Sequence, residues 1–183
     1  QEFIEALVEF KDNCHDFYRY QACFLAAAGI AEFKDCSRAD EIVATIIKWG
    51  CGYFYIEEQE WQIFPEPIAE AARAALLQTN YSIAVNQLID LLKTTEDEYA
   101  TWIVADSLGK IDPGNPEAIA ALIEILSATN DEDTRQIVDE SLGKIATGNP
   151  EPIAALIEIL SATNDKDTRR IVAKSLGEID PGN

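Results

Sequence analysis

The chemistry available to this chain is limited by its single histidine. Among 183 residues, any serine or cysteine nucleophile that needs an imidazole base must use His15. The adjacent Cys14 points to a different helical face, so the two residues are poorly placed as a nucleophile and its base. We therefore predict no catalytic residue and no enzymatic activity.

The cysteines offer a second kind of chemistry, metal binding. All four lie in the first third of the chain, at spacings that match neither CxxC nor a tight disulfide framework: Cys14, Cys23, Cys36 and Cys51. Apolar surroundings at Cys23 and Cys51 favour buried, reduced thiols in a cytoplasmic protein. The alternative is a zinc site of Cys14, His15 and Cys36, although adjacent residues chelate one ion poorly. We predict no metal and no cofactor.

Charge excludes several classes of partner. The chain has 14 Lys and Arg against 33 Asp and Glu, a net charge of −19, which disfavours nucleic acid and anionic membranes. No apolar run approaches the roughly 20 residues of a membrane span, and no signal-peptide pattern follows Gln1. Nothing matches GxxxxGK[ST], and the repeated SLGK has too few glycines to cradle phosphate. Because methionine is absent, we expect this to be a piece of a larger protein.

A 34-residue repeat organises the second half of the chain. Residues 97–130 and 131–164 match at 25 of 34 positions, and a third, truncated copy starts at Asp165. Each copy contains two amphipathic helical patterns. In the second copy the first pattern buries Ile137, Val138, Ser141, Leu142 and Ile145, and the second buries Ile153, Leu156, Ile157 and Leu160. Because neither helix can bury its stripe alone, we predict an all-α solenoid of about five stacked helix pairs.

Helix boundaries in the repeat are marked by capping residues. Asn130 is expected to cap the first helix of the second copy, and the acidic run Asp131–Asp133 complements its dipole. That run lacks the ligand spacing and glycine of an EF-hand, so capping explains it better than calcium binding. Gly148 is expected to take a left-handed stop, and Pro150 fits the first turn of the following helix.

The first 96 residues read as diverged repeats, with helices predicted over 2–11, 16–33, 38–49, 66–78 and 81–93 and a cap near Ser37. We expect residues 1–96 and the regular repeats of 97–183 to form one continuous solenoid. An insertion near 50–65 interrupts the first part, with Gly50 and Gly52 breaking the helix before it. Its rings suggest a contact surface at Tyr53, Tyr55 and Trp61. The alternative is that they cover a hydrophobic edge between diverged repeats.

Two resemblances to known families follow from motifs in the sequence. The 34-residue period first suggests the tetratricopeptide repeat. A tetratricopeptide assignment fails, because its tyrosine and tryptophan positions fall on Asp112 and Ala105. The motifs PEAIAALIEIL, DTR and IVxxSLGKI instead resemble the HEAT repeat, in the short form related to phycobilisome-lyase repeats. That resemblance implies that Arg135 and Arg169 tie adjacent repeats together, in a ladder that ends at Thr101.

The second resemblance concerns the first half. The stretch FYRYQACFLAAAGIAEFKDCSRADEIVATIIKWGCGYF, followed by IAEAARAALLQT, is similar to the C-terminal region of cyanobacterial NTPases that join a NACHT module to HEAT repeats. It implies a non-catalytic protein-interaction scaffold, the sensing or regulatory arm of a larger signalling NTPase. The alternative is a phycobilin lyase-type subunit acting on phycobiliproteins, for which the sequence shows no identifiable chromophore pocket.

Comparison of the near-identical copies indicates a binding surface. Substitutions gather on one stripe of the first helix that is expected to be exposed, where Tyr99, Trp102, Ala105 and Asp106 become Asp133, Gln136, Asp139 and Glu140, then Asp167, Arg170, Ala173 and Lys174. Neutral drift at solvated positions is the alternative. We predict a concave patch that contacts a protein partner or another domain of the parent chain, formed by Tyr99, Trp102, Asp106, Gln136, Glu140 and Arg170. Weak end-to-end self-association is also expected, because the helix ending at Ile179 lacks a polar capping repeat.

Overall fold

The computed structural model describes residues 2–12, 17–33, 36–129, 131–146, 153–154, 156–157, 160–161 and 166–179. Its labelled helices are α1 (Glu2–Val8), α2 (Phe17–Glu32), α3 (Ala39–Cys51), α4 (Glu66–Leu76), α5 (Tyr81–Thr94), α6 (Glu98–Ile111), α7 (Pro116–Ala128), α8 (Glu132–Ala146) and α9 (Lys166–Ile179). Residues 153–154, 156–157 and 160–161 are also helical. The predicted all-α solenoid fold is confirmed.

The chain divides into two compact units, residues 1–88 and 89–183. In the first unit, α1 packs on α2, and α2 and α3 both pack on α4. Gly29 of α2 faces Ile4 of α1, since an added Cβ would lie in ordinary van der Waals contact with that side chain at 3.5 Å. The side chain of Asp12 caps the start of α2, accepting hydrogen bonds from the N–H groups of Tyr18 and Arg19.

A two-stranded hairpin occupies the predicted insertion. β1 (Tyr53–Tyr55) pairs antiparallel with β2 (Glu60–Gln62), with Tyr53 opposite Gln62. The prediction that Gly50 breaks the preceding helix is wrong, because α3 runs through Gly50, which is buried against α4. Gly52 ends the helix, at φ 90° and ψ −172°, a conformation that is essentially confined to glycine. The cap predicted near Ser37 lies one residue from the N-cap of α3, Arg38, which makes no side-chain cap hydrogen bond.

In the second unit, α6 packs on α8, and α8 packs in turn on α7 and α9. The predicted apolar stripe is confirmed for Val138, Leu142 and Ile145, which are fully buried. Gly109, the glycine of the repeated SLGK, sits where α6 meets α8. An added Cβ there would lie 3.1 Å from Cγ1 of Ile145, so the glycine permits the close approach of the two helices.

The caps partly follow the prediction. Asp97 caps α6 by accepting the N–H of Ala100 at 2.8 Å, and Asp131 accepts the N–H of Thr134 at 2.7 Å at the start of α8. The cap of α8 therefore includes Asp131, while the predicted cap Asn130 lies outside the described residues, as do Gly148 and Pro150. In the first copy the glycine that corresponds to Gly148 is Gly114, which has a positive φ of 84°.

One predicted core position is exposed, while Ile153 and Leu160 of the same helical pattern are half-buried. Ile157 is 49% exposed, whereas its counterpart in the first copy, Ile123, is 7% exposed. The two isoleucines occupy equivalent positions in the repeat, so their different exposure reflects different neighbours in the structure. An apolar side chain is thus left on the surface in the last complete copy.

We expect this surface to drive weak self-association. Ile157→Lys should shift the chain toward the monomer, because a charge there opposes burial against a second copy. Light scattering across a concentration series measures the effect, with Ile63→Lys, a substitution of another exposed isoleucine, as the control. A native chain that stays strictly monomeric at high concentration contradicts the prediction.

Gly52 provides a test of the hairpin. A Cβ at this position would collide with the indole nitrogen of Trp61 and approach the carbonyl oxygen of Gln62 to 2.6 Å. Gly52→Ala should therefore lower the free energy of unfolding by about 2 kcal/mol or more. Gly177→Ala is the matched control, because among the described residues no atom beyond the neighbouring helix backbone lies within 4 Å of its added Cβ. It should raise stability by up to about 1 kcal/mol, as helical Gly to Ala changes do. Urea titration followed by circular dichroism distinguishes these outcomes.

Candidate functional site

An open groove of about 450 Å³ lies between α6 and α8 in the second unit. It is lined by three residues of α6 and four of α8: Glu98, Tyr99, Trp102, Asp133, Gln136, Ile137 and Glu140. We call this feature the α6–α8 groove. On α8 the lining residues recur at intervals of three and four, so they share one helical face. The groove is therefore built from the surface of two packed helices.

Two aromatic rings form the apolar part of the α6–α8 groove. The ring centroids of Tyr99 and Trp102 are 5.9 Å apart, with an interplanar angle of 43°. Tyr99 is 39% exposed and Trp102 is 36% exposed. A tryptophan with this much surface in a groove offers a large apolar contact area and an indole N–H, which is why tryptophan is enriched among interface hot spots.

The α6–α8 groove is acidic. Its lining contains the carboxylates of Glu98, Asp133 and Glu140, and none of the seven lining residues is a lysine or an arginine. Gln136 donates a hydrogen bond to Glu140 at 3.3 Å. The rim therefore carries negative charge from both helices.

A pair of carboxyl groups lies at one end of this acidic surface. The hydrogen bond between Glu98 and Asp131 raises the pKa of Glu98. The pKa of Asp131 is lowered, chiefly because its carboxylate accepts hydrogen bonds from Thr134. At the N-terminus of α8, Asp131 is thus stabilised as the anion. A second negative charge on Glu98 is unfavourable beside it.

The structure brings together four of the six residues predicted for the concave patch. Tyr99, Trp102, Gln136 and Glu140 all line the groove. Asp106 does not line it, and its carboxylate instead pairs with Lys110 at 2.7 Å on the same helix. Arg170 is exposed on α9 and is also not a lining residue.

The predicted patch omits three lining residues, Glu98, Asp133 and Ile137, of which only Asp133 belongs to the variable stripe. Glu98 is the same in both complete copies, so a search for variable positions could not detect it. The helical spacing from Trp102 to Glu98, four residues, would have identified it, because residues four apart share a face. Ile137 was assigned to the core stripe, but it is half-buried and its remaining surface borders the groove.

The prediction that the whole variable stripe is exposed is wrong at two positions. Ala105 is fully buried and Asp139 is 7% exposed, because both lie where neighbouring helices pack. The Asp139 carboxylate forms an ion pair with Lys174 of α9. The substitutions at these positions therefore change contacts between helices as well as the surface.

The arginine ladder stays a prediction. Arg135 donates a hydrogen bond from Nη2 to the carbonyl oxygen of Thr129 at 3.2 Å, which holds the turn between α7 and α8. Arg169 is exposed on α9. At the matching position in the first copy, Thr101 is buried and its hydroxyl donates to the carbonyl oxygen of Asp97.

The aromatic residues of the insertion make contacts within the first unit. Trp61 donates its indole N–H to the carbonyl oxygen of Cys51 at 3.0 Å. The Tyr53 ring lies 6.0 Å from Phe64 and 4.1 Å from Nζ of Lys48. Tyr55 donates to Glu57 at 2.8 Å. Tyr53, Tyr55 and Trp61 are half-buried, while the apolar side chains most exposed in this segment are Phe54, Ile56 and Ile63.

Three cysteines, Cys23, Cys36 and Cys51, are buried thiols. Burial raises the pKa of Cys23 to about 11, so this thiol stays protonated at neutral pH. Cys14 and His15, which the zinc alternative requires, lie outside the described residues. In the part of the chain that the structure covers, no three His, Cys, Asp or Glu side chains are grouped closely enough to hold a metal ion.

Comparison with protein families supports the assignment of the fold. Residues 64–143 match the sequence model of the HEAT repeats family. The matched segment runs from just before α4 to near the end of α8, so it contains every residue of the α6–α8 groove. It also includes α4 and α5, which precede the regular repeats. A search of curated proteins found no match. In the described residues, no helix has both the length and the apolar character needed to cross a membrane.

The carboxyl pair predicts an unusual pH dependence. Because the pKa of Glu98 is raised on folding above its ordinary value of 4.5, its ionised form destabilises the native state as pH rises through this range. Glu98→Gln should therefore raise the melting temperature at pH 7. The gain should shrink as pH falls through the raised pKa of Glu98 toward 4.5, and it should be lost below 4.5.

The control is Glu124→Gln, which removes one negative charge from an exposed position on α7 outside the groove. It corrects for the general relief of repulsion in a chain with a net charge of −19. Thermal melts of the two variants at several pH values provide the measurement. An equal gain for both variants at pH 7 contradicts the role assigned to the Glu98–Asp131 pair.

Proposed function

We propose that this chain is a non-catalytic protein-interaction scaffold whose partner binds in the α6–α8 groove. The observation that carries the proposal is the exposed pair of rings, Tyr99 and Trp102, in an open groove of about 450 Å³. Stacked helical repeats of the HEAT type commonly present such surfaces to other proteins. The groove lies within the segment that matches the HEAT repeats family.

Packing supports the proposal because it makes the groove a rigid surface. The buried side chains of α6 and α8, including Val104, Leu108 and Leu142, hold the helices together beneath it. A partner that buries the two rings therefore loses little free energy to ordering the scaffold. Removing apolar surface from water stabilises a complex by about 25 cal/mol per Å², so a well-covered indole contributes on the order of 2 kcal/mol.

The proposal extends to the protein from which the chain derives. The similarity of the stretch around α2 and α3 to NACHT-linked HEAT regions supports a regulatory arm of a larger signalling NTPase in the cytoplasm. In that setting the groove contacts either a separate protein or another domain of the parent chain. The net charge of −19 is consistent with either kind of protein partner and unfavourable for nucleic acid.

Peptide selection tests the proposal and does not require a candidate partner. A random peptide library is displayed and selected on the immobilised chain, and enriched peptides are titrated by calorimetry. Trp102→Ala should weaken their binding by about 2 kcal/mol or more, because truncation removes the central anchor. The variant should keep its helicity, since Trp102 is exposed rather than a core residue.

Tyr81→Ala is the matched control, because Tyr81 is an exposed aromatic residue of α5 outside the groove. It should leave the affinity unchanged. If the enriched peptides bind Trp102→Ala as tightly as the native chain, the groove is not the contact site. If repeated selections enrich no peptide, the proposed scaffold function loses its support.

A further inference from the structure

We infer that the partner places an arginine side chain against Trp102, so that the occupant of the α6–α8 groove is a basic, arginine-containing protein segment. This inference rests on the proposed function, because it names the chemistry of the segment that binds at the same site. Its basis is that flat aromatic surface and carboxylates lie side by side in one groove.

The aromatic pair favours a cation with a flat face. A guanidinium group above a tryptophan ring is attracted by the ring quadrupole and also stacks on its surface, which strengthens binding by about two- to thirtyfold depending on desolvation. Trp102 and Tyr99 present adjacent rings at 5.9 Å, each more than one-third exposed. An arginine side chain can thus cover one ring with its guanidinium while its methylene stem contacts the other.

The carboxylates provide the second half of the recognition. Glu98 reaches the groove from α6, and Asp133 and Glu140 reach it from α8. Guanidinium groups donate paired hydrogen bonds that match the geometry of a carboxylate, whereas an ammonium group acts as a point charge. The surrounding charge of −19 also steers basic segments toward the surface. Charge complementarity therefore selects a basic occupant over a neutral apolar one.

The lining of the groove supplies no cation to neutralise these carboxylates, since none of the seven lining residues is basic. Nearby, Lys110 pairs with Asp106, Lys174 pairs with Asp139, and Arg135 donates to the carbonyl oxygen of Thr129. The pKa of Glu98 is raised by its hydrogen bond with Asp131 and also by the negative charges of Asp131 and Asp133. An incoming guanidinium would offset this repulsion between carboxylates.

Defined peptides test the inference. Three fluorescein-labelled peptides of equal length alternate glycine with arginine, with lysine or with citrulline, the neutral analogue of arginine. Their binding to the full chain is measured by fluorescence anisotropy at fixed salt. The arginine peptide should bind about tenfold more tightly than the citrulline peptide, because only it carries the cation. The lysine peptide should bind between the two.

Variants separate the groove from the overall charge. Trp102→Ala should weaken binding of the arginine peptide by about fivefold or more. The double variant Glu98→Gln/Glu140→Gln should weaken it by a similar factor. The matched control is Glu117→Gln/Glu124→Gln, which removes two exposed carboxylates of α7 outside the groove. The control should keep the affinity within about twofold of the native chain, since distant surface charges are screened.

Two results would overturn the inference. Equal losses in the groove and α7 double variants, with Trp102→Ala unchanged, would show that general charge alone attracts the peptide. Trp102-dependent binding of citrulline and arginine peptides with equal affinity would show that the groove ignores the cation. In that second case the proposed scaffold function is still supported, and only the inference of an arginine in the partner is rejected. Peptides that depend on Trp102 but are enriched without basic residues lead to the same conclusion.

Discussion

The close contact between α6 and α8 is the interaction on which the second unit depends. Two features converge on Ile145: the glycine at position 109, whose missing side chain lets the helices meet, and the N–H of Gly114, which donates to the carbonyl oxygen of Ile145 at 2.6 Å. The glycine removes a steric clash, and the hydrogen bond fixes the direction of approach. Together they fix one end of α6 against α8, and the buried apolar stripe extends that contact along both helices.

The α6–α8 groove follows from this fixed contact. Since the buried side chains set the separation of the two helices, residues on their outer faces can change without altering the packing. Trp102 in the first copy and Gln136 in the second occupy equivalent positions in the repeat, yet both line the same groove. A repeat therefore converts sequence differences between copies into a composite surface, with aromatic residues from one helix and most of the polar residues from the next.

Much of this could be read from the sequence because it depends on local periodicity. The spacing of Val138, Leu142 and Ile145 specifies a buried helical stripe, and the repeat length implies stacking. Features that depend on distant atoms were missed. The hairpin forms by strand pairing across a turn, and the Trp61 indole donates a hydrogen bond to the carbonyl oxygen of Cys51. No periodic pattern in the sequence predicts this arrangement. The burial of Asp139 depends on α9, because its ion-pair partner Lys174 lies on that helix, 35 residues further along the chain. Four of the six predicted patch residues line the α6–α8 groove because helical spacing groups them, whereas the positions of Asp106 and Arg170 depend on how the helices pack.

The Asp139–Lys174 pair has a consequence for the order of the copies. In the 34-residue register, Asp139 and Lys174 of the second and third copies correspond to Ala105 and Glu140 of the first and second. If the second copy were duplicated in tandem, its nearly buried aspartate would face a glutamate instead of a lysine, an unfavourable pairing of like charges. If it were deleted, alanine would face the lysine. The copies are nearly identical in sequence, yet the side chains that meet between neighbouring copies are not interchangeable. The Asp139–Lys174 ion pair therefore favours the present order of the second and third copies over an exchanged order.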